Sequence, residues 1–219
     1  MNRVILPLDN LTWDEALPIM KETAGLVWGY KIRKVVLEKS ISIIKEIKEF
    51  GNVMVDFKLY DIPSAMTESL LYHIENQADI TTVHCTAQYK PTPEVDSSKI
   101  AGVTILTSFG PEVFNYYDEE QSIEDHVADM CFDSVESNFG YLVCSPLELN
   151  RVGEADIQRI TPGIRPVWYS PEDDQTRIST PANAIKNGSD LLVIGRPLLK
   201  AESIADAIKQ TNDEIESAT

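Results

Sequence analysis

The stretch VMVDFKLYDIP, Val53 to Pro63, holds a complete strand-to-helix transition. Val53 to Phe57 reads as a buried strand. Pro63 suits the first position of a helix and marks where the next one opens. Between these ends lie Asp56, Lys58 and Asp61. Side chains two apart on a strand share a face, so Asp56 and Lys58 point one way and Phe57 the other. Asp61 follows in the loop, within reach of the same rim.

The same unit recurs outward in both directions. Towards the N-terminus, Val4 to Leu8 and Leu26 to Ile32 are strand candidates. Thr12 and Glu15 form a capping box for the helix between them, which Pro18 is expected to kink. Leu37, Ile41, Ile44 and Ile47 recur at helical spacing, with Gly51 as the expected stop. Towards the C-terminus, strands are expected at Ile80 to His84, Ile100 to Leu106, Tyr141 to Cys144, Arg159 to Pro162 and Leu191 to Ile194. Ile123, Val127, Met130 and Ser134 share one face of a long helix, and a brief helix follows Pro146. Thr180-Pro181 starts a helix that Gly188 ends, and a last helix runs from about Glu202 to Glu216. Pro91 and Pro93 leave the fourth connection with a short or missing helix. Strand–helix alternation implies a parallel sheet. Eight strands favour a closed (β/α)8 TIM barrel, at the compact end of its size range, over an open doubly wound sheet. With no Pro/Gly/Ser-rich linker, the α/β chain reads as one domain over residues 1–219.

The chain is 43% hydrophobic and 25% charged, which fits a soluble globular protein. A net charge of −16 argues against nucleic-acid binding, which needs a basic surface. Any anionic ligand must then meet a local cluster of Lys, Arg and backbone N–H groups. The three cysteines Cys85, Cys131 and Cys144 show no CxxC spacing and no disulfide framework. The N-terminal MNRVILPLDN lacks the apolar core of a signal peptide, and no apolar run reaches membrane-spanning length. A cytoplasmic protein is the simplest reading. Three scattered histidines offer no transition-metal spacing. An Asp-bound Mg²⁺ is harder to exclude from sequence. No glycine-rich nucleotide loop is present. His73 and His126 fall in helices, His84 ends the fourth strand near the mouth, and Cys131 and Cys144 read as small buried residues.

In such a barrel the active site lies at the C-terminal ends of the strands. Asp9 ends the first strand and Lys31 the second. With Asp56, Lys58 and Asp61 they alternate in sign around the mouth. Such a set can hold a lysine protonated and poised as a proton donor. Equally, these charges could form a structural ion-pair layer or face solvent, and spacing leaves both open. Gly195-Arg196-Pro197 follows the eighth strand, where barrels commonly bind phosphate. Its glycine lets backbone N–H groups approach an anion, and its arginine supplies a planar fork. Arg165 and Gln175 lie in the preceding loop. An ordinary turn with a solvated arginine is the plainer alternative.

Together these segments resemble the orotidine 5′-phosphate decarboxylase family. VDFKLYDIP carries its D-x-K-x-x-D-I-P signature. Leu8-Asp9, Lys31, Leu106-Thr107-Ser108, TPGIR from Thr161 to Arg165, DQ-x-R-x-x-TP from Asp174 to Pro181, and IGRP from Ile194 to Pro197 follow in family order. The resemblance implies cofactor-free decarboxylation of orotidine 5′-monophosphate to UMP, with no metal. Lys58 would protonate C6 of the pyrimidine. Lys31, Asp56 and Lys58 would form a charged array, completed by Asp61 from the neighbouring subunit of a homodimer with shared active sites. Asp9 and Lys31 would hold ribose hydroxyls, and Thr107 with Ser108 would sit near the pyrimidine. Gln175, Gly195 and Arg196 would bind phosphate, with Arg165 and the 166–174 loop closing over the substrate. The chain departs from the family pattern at Arg33, where glycine is usual, at Ala65, where threonine is usual, and in the region from Cys85 to Lys99, which lacks a full helix. Mg²⁺-dependent keto-gulonate-phosphate decarboxylases and hexulose-phosphate synthases share D-x-K-x-x-D. The DIP continuation and the TPGIR…DQ-x-R segment favour the orotidine branch. A non-catalytic nucleotide-binding protein is opposed by the intact Lys31, Asp56, Lys58 and Asp61.

Overall fold

Eight parallel strands pair in sequence order, and the last closes onto the first. The computed structural model describes residues 2–109, 122–169 and 177–218. The strands are β1 (Val4–Pro7), β2 (Gly29–Ile32), β3 (Asn52–Leu59), β4 (Ile80–His84), β5 (Ile100–Val103), β6 (Tyr141–Val143), β7 (Gln158–Thr161) and β8 (Leu191–Val193). Around them run α1 (Trp13–Thr23), α2 (Lys34–Lys39), α3 (Ile44–Ile47), α4 (Pro63–Glu75), α5 (Ile123–Glu136), α6 (Leu149–Val152), α7 (Pro181–Lys186), α8 (Arg196–Leu199) and α9 (Ile204–Glu216). This is the expected (β/α)8 barrel.

Strand alternation divides the core. Ile5, Met54, Ile80, Ala101, Ile160, Leu191 and Val193 pack together inside the barrel. Their neighbours Val4, Leu6, Val53, Val55, Leu192 and Ile194 pack with Met20, Ile44 and Ile208 in the layer between sheet and helices. Full burial of each such side chain stabilises the fold by ~1.5–3 kcal/mol.

Local signals set several helix ends. Thr12 and Glu15 make the capping box, and α1 continues past Pro18. Thr180 accepts the Asn183 N–H at 3.2 Å, and Gly188 follows α7 at φ +98°. Pro63 opens α4. The fourth connection has 3-10 turns at Cys85–Ala87 and Ser97–Lys99 but no α-helix, as the prolines foretold.

The stretch from Leu37 to Ile47 corrects the sequence reading. It is not one helix. Ser40 adopts φ +77° and separates α2 from a 3-10 turn, Ile41–Ile43, that leads into α3. The break changes the phase: Ile41, Ile44 and Ile47 are buried, whereas Leu37 is 74% exposed and Val35 and Val36 take the inward positions. Gly51 is not a left-handed helix stop. Its Cα side lies close to Tyr30, where an added Cβ would stand 3.3 Å from the ring. Among the described residues no helix is long and apolar enough to cross a membrane.

Candidate active site

The site begins with an irregularity in β3. Val55 pairs with Thr81, and the next pair is Leu59 with Val83. β3 therefore advances four residues while β4 advances two. Lys58 takes up the excess at φ +49°, a left-handed conformation uncommon for a residue with a Cβ. The result brings Lys58 back over Asp56, with Nζ donating to Asp56 Oδ2 at 2.7 Å. Lys31, from β2, donates to the same oxygen at 2.7 Å and also to Asp9, just beyond β1. Four charged side chains from three adjacent strands thus meet at the C-terminal mouth of the barrel.

Their environment fixes their charge. The Asp56 side chain is 6% exposed and that of Lys31 13%. Burial alone would raise the Asp56 pKa, but the Lys31 and Lys58 ammoniums override it and hold the carboxyl at about 2. Burial pulls Lys31 down, yet Asp56 and Asp9 more than reverse this, and it stays protonated. Asp9 goes the other way: burial raises it beyond what Lys31 takes back. Its Oδ1 has no hydrogen-bond partner among the described residues.

The cluster lines one side of a cavity of about 560 Å³, a volume usual for a small-molecule site. Met54, Val103, Val143 and Val193 supply its apolar floor. Thr107, Ser108, Arg165, Gly195 and Arg196 complete the wall. Gly195 lies close to Pro7: a Cβ there would stand 3.1 Å from Pro7 Cγ. Arg196 opens α8 directly after it. Arg165 donates from Nη1 to the Ile164 carbonyl at 2.9 Å, and its N–H reaches Ser179 O at 2.8 Å. That bond and an Ile164–Ser179 bridge close the base of the following loop. Gln175 and Asp174 lie outside the described residues, as does the part of the 166–174 loop from residue 170 onward.

Asp61 does not join the cluster of its own chain. It is exposed, and its Oδ1 accepts the Ile62 N–H at 2.7 Å. Its neighbours Tyr60 and Ile62 are also largely exposed. His84 stands at the rim rather than in the cavity wall, with Nδ1 2.7 Å from Thr86 Oγ1 and Tyr60 edge-on to its ring.

A model of the orotidine 5′-phosphate decarboxylase / HUMPS family matches residues 2–211. The chain belongs to this family. A relative from Prochlorococcus marinus (strain MIT 9515), named orotidine 5′-phosphate decarboxylase, is 33% identical over 92% of this chain and 91% of its own. One of the same name from Desulfosudis oleivorans (strain DSM 6200 / JCM 39069 / Hxd3) is 33% identical over 97% of this chain and 95% of its own. The crystal structure of orotidine 5′-phosphate decarboxylase from Lactobacillus acidophilus superposes with a TM-score of 0.80 at 23% identity, covering 98% of this chain and 99% of that one. It is similar in fold.

Two residues that the family signatures did not single out stand out in the geometry. Thr82 is fully buried in β4, its Oγ1 2.8 Å from the Lys58 N–H and 3.0 Å from Asp56 Oδ1. Asn10 lines the cavity, and its Oδ1 accepts from Arg33 Nη2 at 3.3 Å. Arg33 thereby ties the loop after β2 to the loop that carries Asp9. Lys34 adds a bond to the Asn10 carbonyl at 3.2 Å.

Proposed function

We propose that this chain is a single-domain, cytoplasmic orotidine 5′-phosphate decarboxylase, a carbon–carbon lyase that converts orotidine 5′-monophosphate to UMP without a cofactor. The observation that carries the reading is one carboxylate oxygen, Asp56 Oδ2, held between two ammoniums at the wall of a nucleotide-sized cavity. As the C6–carboxylate bond breaks, its electron pair stays on C6. The Lys58 ammonium stabilises that charge and delivers the proton that forms C6–H. The lysine then recovers a proton from solvent. Asp56 lies beside the departing carboxylate and disfavours the bound ground state relative to the CO2-releasing transition state.

The remaining wall divides the nucleotide. Asp9, with an acceptor atom to spare, and Lys31 hold ribose hydroxyls. Thr107 and Ser108 flank the pyrimidine. Gly195 and Arg196, with Gln175, bind phosphate, and Arg165 with the 166–174 loop closes over it. Asp61, exposed and unattached to its own cluster, completes the neighbouring subunit's array in a homodimer with shared active sites. Lys31 itself argues for the metal-free branch, because its ammonium sits between Asp9 and Asp56 where a divalent cation would need both carboxylates. The three free thiols suit a reducing compartment.

The test is an ultraviolet assay for loss of orotidine 5′-monophosphate with EDTA present. The native chain turns the substrate over, whereas Lys58→Ala loses turnover yet still binds UMP. Near-normal turnover by Lys58→Ala, or loss of native activity in EDTA, overturns the reading.

A further inference from the structure

We infer that Thr82 is the positioning residue that sets the geometry of the Asp56–Lys58 pair and adds to the lysines' hold on the Asp56 charge. The inference deepens the proposed function and rests on it for its kinetic consequence. The irregularity in β3 leaves the Lys58 N–H without the strand carbonyl it would meet in a regular ladder. The Thr82 hydroxyl takes that place, accepting the N–H at 2.8 Å. A hydroxyl has one proton to give. Two acceptors lie near it, Asp56 Oδ1 at 3.0 Å and the Val55 carbonyl at 3.4 Å. The shorter and charge-assisted bond goes to the carboxylate. A directed chain results: Lys58 N–H to Thr82 Oγ1, and Thr82 O–H to Asp56 Oδ1.

This chain does two things. It pins the left-handed Lys58 backbone, which decides where the ammonium points. It also occupies Oδ1, so that Oδ2 is the oxygen turned to both lysines. The charged groups facing Asp56 are Lys31 from β2, Lys58 from β3 and, through Lys31, Asp9 beyond β1. His84, at the end of β4, faces Lys58. Both lysines donate to Oδ2, and Thr82 is the group that reaches Oδ1. Thr82 is fully buried, so no solvent replaces its hydroxyl without rearrangement.

Thr82→Val keeps the shape and removes the hydroxyl, and Thr82→Ser keeps the hydroxyl. Loss of one charge-assisted bond predicts that kcat falls about 10- to 100-fold in the valine variant. UMP affinity should change less than about threefold, and serine should restore kcat to within a few-fold of native. Independently of turnover, the Asp56 carboxyl, followed by carbon NMR in protein labelled at aspartate, should titrate higher in the valine variant than in the native and serine proteins. An unmoved Asp56 titration, or a serine variant no better than valine in kcat, overturns the role. If valine does not fold, Thr82→Ala and Thr82→Ser give the same comparison. A native chain that does not decarboxylate orotidine 5′-monophosphate would sink the proposed function instead, and the titration alone would then decide the role of Thr82.

Discussion

Replacing Asp56 with asparagine tests the site at its centre. The side chain keeps its shape and loses the charge that two ammoniums share at 2.7 Å each. Removing one partner of a buried ion pair costs ~3–5 kcal/mol, because the other charge stays buried and unpaired. The two lysines differ here. Lys31 is 13% exposed but keeps Asp9, whereas Lys58 is 33% exposed and can turn partly to water. Both features place the cost near the lower end, ~3 kcal/mol. For a chain of this size 1 kcal/mol shifts Tm by ~2–4 °C, so Tm should fall by about 6–12 °C at pH 7. The Asp56 carboxyl is held at about 2 against an ordinary 3.8. Its folded pKa is therefore depressed, and its contribution is present above 3.8 and lost as pH falls towards 2. The gap between native and Asp56→Asn proteins should close over the same window. Scanning calorimetry from pH 7 down to the lowest pH at which both proteins still fold reads this directly. A Tm within 2 °C of native at pH 7 would refute the shared-carboxylate geometry. In the same variant, decarboxylation should fall at least about 100-fold with UMP binding retained, since the loss is confined to the reacting end.

Three further outcomes follow from other parts of the structure. Arg196→Ala should weaken UMP binding about 10- to 100-fold by calorimetry and barely change the binding of uridine, with equal losses for both rejecting a phosphate role. Burial pushes His73, stacked on Phe57 and bonded to Thr81 at 2.8 Å, from 6.5 down to about 4. Between those values the unfolded chain binds the extra proton, so stability should drop as pH falls from 6.5 to 4, by up to ~3 kcal/mol at ~1.4 kcal/mol per pH unit. Urea unfolding of His73→Gln should lack this slope, and an identical slope excludes His73 as its source. Mixing Lys58→Ala with Asp61→Ala subunits should restore up to about half of native activity per mixed dimer, because one of the two sites then has both groups. Verified mixed dimers as inactive as either parent would place Asp61 outside the neighbouring site.

The barrel was legible because its strands are short apolar runs with turn residues between them, and burial on both faces demands that pattern. Ile80 to His84 came out residue for residue. The break at Ser40 was not legible. Leu37 and Ile41 have ideal helical spacing, and only the packing of Val35 and Val36 under the sheet shows why the phase changes there. Asp56 and Lys58 were expected on one face from a simple two-residue period. They do converge, but through an irregularity whose existence depends on the pairing with β4. Thr82 was hidden for a related reason. Thr81 and Thr82 are adjacent and must face opposite ways, and sequence alone does not say which. The inward packing of Ile80 decides it, because Thr82 and His84 follow at the two-residue strand period and share its face.

The distribution of charge explains how a chain of net −16 could accept a substrate that carries both phosphate and carboxylate. Of the described residues lining the cavity, four are cations, Lys31, Lys58, Arg165 and Arg196, and two are carboxylates, Asp9 and Asp56. At physiological salt, exposed charges more than ~8 Å away are largely screened, so the local excess of cations governs an anion inside the cavity. The two ends of that excess act differently on the proposed function. Arg165 and Arg196 stand where β7 and β8 end, beside the loop whose base is tied by Arg165 N–H to Ser179 and by the Ile164–Ser179 bridge. In the proposed function a phosphate held there would draw on the same elements that tie the base of that loop, which would let remote binding energy go into enclosing the reacting end. Lys31 and Lys58 are instead already engaged by Asp56. In the proposed function they would offer the substrate carboxylate little net attraction in the ground state, because the aspartate charge stands between them. In the proposed reaction, once CO2 begins to leave, the charge on that carboxylate is lost and the new charge at C6 would face Lys58. On that proposal the same Asp56 that costs binding would then cost less, and the difference would appear in the rate rather than in affinity.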